Sequence, residues 1–225
     1  MNFAVSLDYI PLSPMTCLKM PYKENPRDRF MNEEEIAIFW NGIDSVSNLS
    51  PPVKIALKLA LVTGQRRSEI AYISKSELDL ENKIWSLPKE RTKNSRPHDV
   101  PLSNLAVSLL EEAISHSGYS DYVFRSPRFK DRPIDCKVLT RAWARARVQL
   151  GLDDVVLHDF RRTCATGLQK LGVRLEVTEA VLNHKSGSIS GIVAIYQRHD
   201  WKEEKKEALE AWASGVLKIS ALHSI

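Results

Sequence analysis

From Pro51 to Val62 the chain sets Val53, Ile55, Ala56, Leu57, Leu59, Ala60, Leu61 and Val62 around most of the circumference of a helix. A helix that is apolar on nearly every side is stable only when other elements surround it. This stretch therefore dictates a helix-rich core, with the rest of the chain arranged about it. Pro51-Pro52 suits a first helical turn, whose amides have no intrahelical acceptor, and Gly64 supplies a stop or a bend. The 225 residues suffice for one sizeable domain around such a helix.

The surrounding elements are readable in the same way. Asn32 with Glu35 three residues on has the form of a capping box, and Ile36, Phe39, Trp40 and Ile43 follow at helical spacing, so the compact domain is expected over residues 32–225. Residues 1–31 carry four prolines and no sustained period, which reads as a linker. A helix is expected through Arg66–Tyr72, just past the glycine break, and others over Ser103–Ser115, Cys136–Leu150, Asp159–Leu171 and Trp201–Leu222. Ile84–Pro88 and His98–Pro101 read as two short strands joined by a polar loop, a small hairpin with Lys93 near its tip. The expected class is α+β, mainly α-helical, with a minor antiparallel sheet.

Composition narrows the function by exclusion. Hydrophobic residues at 43% and charged residues at 27% leave no support for a disordered, collagen-like or disulfide-built chain. Cys17, Cys136 and Cys164 are odd in number and far apart, without the paired spacing of a zinc site or a disulfide framework, which fits a reducing compartment. The apolar run Leu59–Val62 is far shorter than the ~20 residues of a membrane span. The protein is accordingly expected in the cytoplasm, with no membrane partner. Net charge is +4, but Lys89 to Arg147 holds twelve Lys and Arg against seven Asp and Glu, whereas Asp200 to Glu210 holds three against five. One region can face phosphates and the other cannot. Within the basic stretch, Lys89, Arg91, Arg96, Arg141 and Arg145 are the candidate DNA contacts.

Four motifs could carry chemistry. His158-Asp159-Phe160-Arg161 puts an imidazole and a guanidinium one turn apart at the start of a helix, within reach of one anion. Thr63-Gly64-Gln65-Arg66-Arg67-Ser68-Glu69 sets an arginine at a glycine break with an acid three residues later to hold it, a pair that is equally well a structural ion pair. Leu182-Asn183-His184 and Ala194-Ile195-Tyr196-Gln197-Arg198 complete the set. Taken singly, a lone histidine is more often structural, and a tyrosine after isoleucine more often packs in a core.

Their order and spacing together resemble the catalytic domain of the tyrosine recombinase (phage integrase) family. Thr63-Gly64-x-Arg66-x-x-Glu69 is followed by Lys93 in a hairpin, by His158-x-x-Arg161, by Leu182-x-His184 and by Tyr196 twelve residues on. Arg96-Pro97-His98-x-Val100-Pro101-Leu102 and Ile195-Tyr196-Gln197-Arg198 look like the prophage-type integrases in particular. The resemblance covers about Asn32 to Trp212.

The resemblance implies a site-specific DNA recombinase that cleaves and rejoins strands through a covalent 3′-phosphotyrosyl link. It implies Tyr196 as the nucleophile, Arg66 and Arg161 as clamps on the phosphate, and His158 as acid and base. Lys93 would protonate the departing 5′ oxygen, His184 would hydrogen-bond a phosphate oxygen, and Glu69 would support an arginine. The tyrosyl link preserves the phosphoester, so neither a nucleotide cofactor nor a metal is implied. Implied partners are double-stranded DNA attachment sites, a homotetramer on DNA with a monomer for an isolated domain, and accessory DNA-bending proteins, at the bacterial nucleoid. Family members usually carry a further N-terminal DNA-binding domain, so residues 1–31 read equally as a remnant of one. Other outcomes of the same fold are a type IB topoisomerase and a DNA-binding protein without recombination activity. The segment 201–222 resembles a tail that packs on a neighbouring protomer, against the plain alternative of a helix on its own domain.

Overall fold

The computed structural model describes residues 2–14, 27–129, 131–184 and 200–223. Its helices are α1 (Asn2–Ser6), α2 (Glu33–Gly42), α3 (Pro51–Thr63), α4 (Arg67–Ala71), α5 (Asn104–Ser117), α6 (Cys136–Gln149), α7 (Leu157–Lys170), α8 (Leu175–Val181) and α9 (Lys202–Leu222). Strands β1 (Leu78–Asp79), β2 (Ile84–Leu87) and β3 (His98–Pro101) lie between α4 and α5. They form one antiparallel sheet in the order β1-β2-β3, with Trp85 paired to both Leu78 and Val100, and Leu87 opposite His98.

The α3 helix is the centre of the domain. Every apolar residue from Val53 to Val62 is buried, and α4, α5, α6, α7 and α9 all pack against it. It ends at Gly64, whose left-handed φ of 64° suits glycine. A Cβ there would lie 2.9 Å from Cys164 Sγ and 3.0 Å from Leu182 Cδ2. The chain can thus leave α3 only at this angle and only against α7 and the turn after α8.

Beside α3, Phe39 of α2, Trp143 of α6 and Phe160 of α7 meet edge to face with centroids 4.7 to 5.6 Å apart. Such pairs add ~0.5–1.5 kcal/mol each beyond area burial. The α2 helix begins as its sequence requires: the Asn32 side chain accepts from the Glu35 amide at 2.8 Å, and Glu35 accepts from the Asn32 amide at 2.9 Å. The α9 helix packs on α2 and α3 and buries Ala208, Leu209, Trp212 and Val216 against its own domain. The Trp212 indole donates to the Leu61 carbonyl at 2.9 Å and lies where a Cβ on Gly167 would be, 2.1 Å from its ring. The plain alternative for this segment is the one the structure adopts.

Some expectations need correction. Residues 27–31 lie against the domain: Met31 is buried and its amide donates to Thr163 Oγ1 at 2.9 Å, while Arg27 pairs with Asp159 and Arg29 with Glu35 and Asp154. Residues 27–31 are therefore docked chain, and a short helix, α1, stands where only a linker was expected. Strand β1 and helix α8 are additional to the elements read from the sequence. Among the described residues no helix is long and apolar enough to cross a membrane.

Candidate active site

Two arginines meet at the end of α3. Arg66 caps α4, and Glu69, itself buried, holds it from both ends: Oε2 accepts from the Arg66 amide at 2.7 Å and Oε1 from Nη1 at 2.9 Å. Arg161, on α7, is 4% exposed and reaches across to backbone carbonyls, donating from Nη1 to Gly64 at 2.8 Å and from Nη2 to Leu182. Its Nε is buried without an acceptor among the described residues. Burial, and after it the neighbouring Arg66 guanidinium, lower the Arg161 pKa to about 10, with Glu69 opposing. A buried guanidinium surrounded by carbonyls stays charged at neutral pH.

The histidines join this pair. His158 is exposed on the first turn of α7, and partial desolvation, then Arg162 and Arg161, push its pKa below the ordinary value. His184 follows the turn after α8, where desolvation and then Arg161, Arg66 and His158 lower its pKa to about 4. Both imidazoles are neutral at pH 7, and each feels the same two arginines. Arg161 and Arg66 bond the Leu182 and Asn183 carbonyls directly before His184, and His158 stands one turn before Arg161 on α7, so the four lie together where the positive charge exceeds what Glu69 balances. An oxyanion held there would find planar bidentate donors and two neutral imidazoles able to accept or share a proton.

The turn 181–183 ties these parts together. Gln65 Nε2 donates to the Val181 carbonyl at 2.9 Å, and His98 Nε2 lies 3.2 Å from the same oxygen. Arg161 takes the Leu182 carbonyl and Arg66 Nη2 the Asn183 carbonyl, the latter at 3.5 Å. Asn183 has a left-handed φ of 48°, which asparagine tolerates better than most residues. Gln65, His98 and Asn183 stood inside the quoted motifs, but sequence reasoning gave them no role.

The remaining candidates divide. Lys93 is exposed in the loop between β2 and β3, and Lys89 and Arg96 are exposed in the same loop. Arg141 and Arg145 stand exposed on α6. Arg91 turns inward instead: it pairs with Glu77 and donates to the Glu69 carbonyl at 2.8 Å, so its guanidinium is spent on holding the hairpin against α4. Arg67 and Arg162 point away from the pair, Arg67 to Thr140 and Arg162 to Asp159. Tyr196 lies outside the described residues.

Residues 29–203 match the family model described as the phage integrase family. The chain belongs to the phage integrase family. This integrase-family chain is 26% identical over 224 residues to prophage integrase IntZ of Escherichia coli K12, covering 98% of itself and 53% of that relative. It thus spans about half the length of IntZ. Among solved structures it superposes on a λ integrase (75–356) dimer bound to a COC′ core site with a TM-score of 0.64 at 20% identity, over 84% of this chain and 69% of that one. A λ integrase tetramer bound to a Holliday junction gives 0.62 at 20% identity, over 88% and 56%. At these identities the likeness shows the fold: a mainly helical tyrosine recombinase catalytic domain with a small antiparallel sheet.

Proposed function

We propose that this chain is a site-specific DNA recombinase of the integrase kind, which breaks and rejoins strands through a covalent link to Tyr196. The observation that carries this reading is that Arg66 and Arg161 both bond the turn leading into His184, with His158 one turn before Arg161 on the same helix. Attack on a phosphodiester adds charge to the equatorial oxygens, and donors already fixed where that charge appears stabilise the transition state most. The carbonyl-bound Arg161 and the Glu69-braced Arg66 are fixed in this sense.

In the proposed step the Tyr196 hydroxyl attacks phosphorus, the P–O5′ bond breaks, and the 3′ phosphate becomes a phosphotyrosyl ester. A phenol of pKa ~10 needs a proton acceptor. His158, neutral at pH 7, accepts the proton. Lys93 gives its proton to the departing 5′ oxygen, and His184 hydrogen-bonds a phosphate oxygen. A 5′ hydroxyl from the other strand then attacks the ester and releases Tyr196, so bonds broken and formed balance. Tyr196 falls within the matched residues 29–203, in support of this role.

Double-stranded attachment DNA is the proposed substrate, with Lys89, Arg96, Arg141 and Arg145 as phosphate contacts outside the reacting centre. Both λ integrase neighbours are bound to DNA, one as a tetramer, in support of a tetramer here. Accessory DNA-bending proteins and a place at the nucleoid belong to the same reading. The test uses nicked suicide duplexes carrying sequence enriched by this chain from a random pool. A denaturant-resistant adduct that disappears in Tyr196→Phe is expected; an adduct that survives Tyr196→Phe, or binding with no adduct at all, would overturn the reading. Exchange between two duplexes distinguishes recombination from topoisomerase-like nicking and closing.

A further inference from the structure

The loop between β2 and β3 carries Lys93 on a tight turn. The Ser95 amide donates to the Thr92 carbonyl at 3.2 Å, which leaves Lys93 and Asn94 at the two central positions, and Ser95 takes a left-handed φ of 54°. Thr92, buried, closes the base of the turn: its hydroxyl lies 2.7 Å from the Arg96 carbonyl and accepts from the Arg96 amide at 3.1 Å. Lys93 is exposed, and the half-buried Asn94 reaches the turn 181–183. Asn94 Nδ2 donates to Asn183 Oδ1 at 2.5 Å, and Asn183 Nδ2 lies 3.4 Å from Asn94 Oδ1. Among the described residues, the hydrogen bonds from 93–95 to the turn 181–183 run through this amide pair.

The two ends of the pair differ in how firmly they are held. Asn183 belongs to a turn whose carbonyls are bonded by Gln65, His98, Arg161 and Arg66. Asn94 belongs to an exposed hairpin tip, which without a tether would spread Lys93 over many positions. A proton donor contributes only while it is within hydrogen-bond reach of the atom it protonates.

We propose that Asn94 and Asn183 form an amide latch that positions Lys93 for proton delivery to the 5′ oxygen. Both are positioning residues, acting through Lys93. Asn183 sets the latch through its left-handed backbone and its side chain at once, so the arginine clamp and the lysine loop share a single reference point. The proposal rests on the reading of Lys93 as the proton donor.

The experiment compares two suicide duplexes at the mapped cleavage position, one ordinary and one with sulfur replacing the bridging 5′ oxygen. A thiolate leaves without a proton, so it bypasses the lysine. Asn94→Ala and Asn183→Gly, the second of which keeps the left-handed backbone, are each expected to slow single-turnover cleavage of the ordinary duplex about 10- to 100-fold, part of the ~10²–10⁴ that a positioned proton donor supplies. On the sulfur duplex Asn94→Ala is expected to cleave at the unaltered rate and Asn183→Gly to recover most of its loss, and the double variant to be no slower on the ordinary duplex than the slower single one. Equal slowing on both duplexes, or no slowing, overturns the latch. Lys93→Ala is the control: if sulfur does not rescue it, the reading of Lys93 fails, and the latch fails with it for that separate reason.

Discussion

Phe160 and Arg161 are neighbours on α7 and both almost inaccessible, at 1% and 4% exposure, yet opposite physics holds them. Phe160 sits among Phe39 and Trp143, where burial needs no partner of a particular kind. Arg161 sits among backbone carbonyls with another arginine beside it and one N–H unbonded, an arrangement that costs stability rather than adding it. A core is built from whatever fills it. A charged site is built from acceptors placed elsewhere, and its cost is recovered only when an anion arrives.

Four measurements would break or sharpen this contrast. The largest effect is expected on the core side: Trp212→Ala removes the ring that fills the space beside Gly167 and should lower stability by ~3–5 kcal/mol. Thermal unfolding checks it, with a fall in Tm of roughly 10 °C for a chain of this size. On the site side, Arg161→Met should cut cleavage about 100- to 1000-fold, the usual cost of losing one fixed oxyanion donor. Its Tm should move only slightly, because relief of a buried charge is offset by leaving the Gly64 and Leu182 carbonyls without their donor. A large fall in Tm would show that Arg161 is a structural residue.

Acid offers the third. His98 is buried on β3, where burial first and Lys205 second lower its pKa to about 4, against the bond to Val181 and the charge of Asp99; Arg161 adds to the lowering. The fold favours neutral imidazole, so this contribution is complete above pH 6.5 and is lost as pH falls toward 4. The loss amounts to about 3 kcal/mol at pH 4. Denaturant titrations from pH 7 to 4 should show that slope, and His98→Gln should flatten it. The smallest effect is at His184: binding of a duplex should raise its pKa from about 4 toward the ordinary value, since a phosphate favours the protonated ring against Arg161 and Arg66. Titration of the ring proton by NMR reads it, and an unchanged pKa would place the phosphate elsewhere.

The contrast also explains what the sequence made legible. Phe39 was readable from helical spacing, α3 from its apolar circumference, and the start of α2 from Asn32 and Glu35, because each signal lies in side chains a few residues apart. Arg66 and Arg161 were readable as candidates, but their anchors were not. The carbonyls of Gly64 and Leu182 leave no mark in the sequence and lie 97 and 21 residues from Arg161. Arg91 illustrates the other limit. Its charge was plain, but its direction toward Glu77 depended on how the hairpin closed. The docking of residues 27–31 hid behind a pairing of Arg27 with Asp159 across 132 residues. Helix α8 and strand β1 span seven and two residues, too short for a period to show.

The turn 181–183 has a consequence for how this chain can vary over time. Val181 and Leu182 offer their carbonyl oxygens to the site, and every amino acid has that oxygen. Substitutions there can drift among residues that fit the packing without moving either anchor. Only at Asn183 does the side chain itself take part. At the first two positions only packing in the buried core constrains the side chain, and at the third the hydrogen bond with Asn94 constrains it as well.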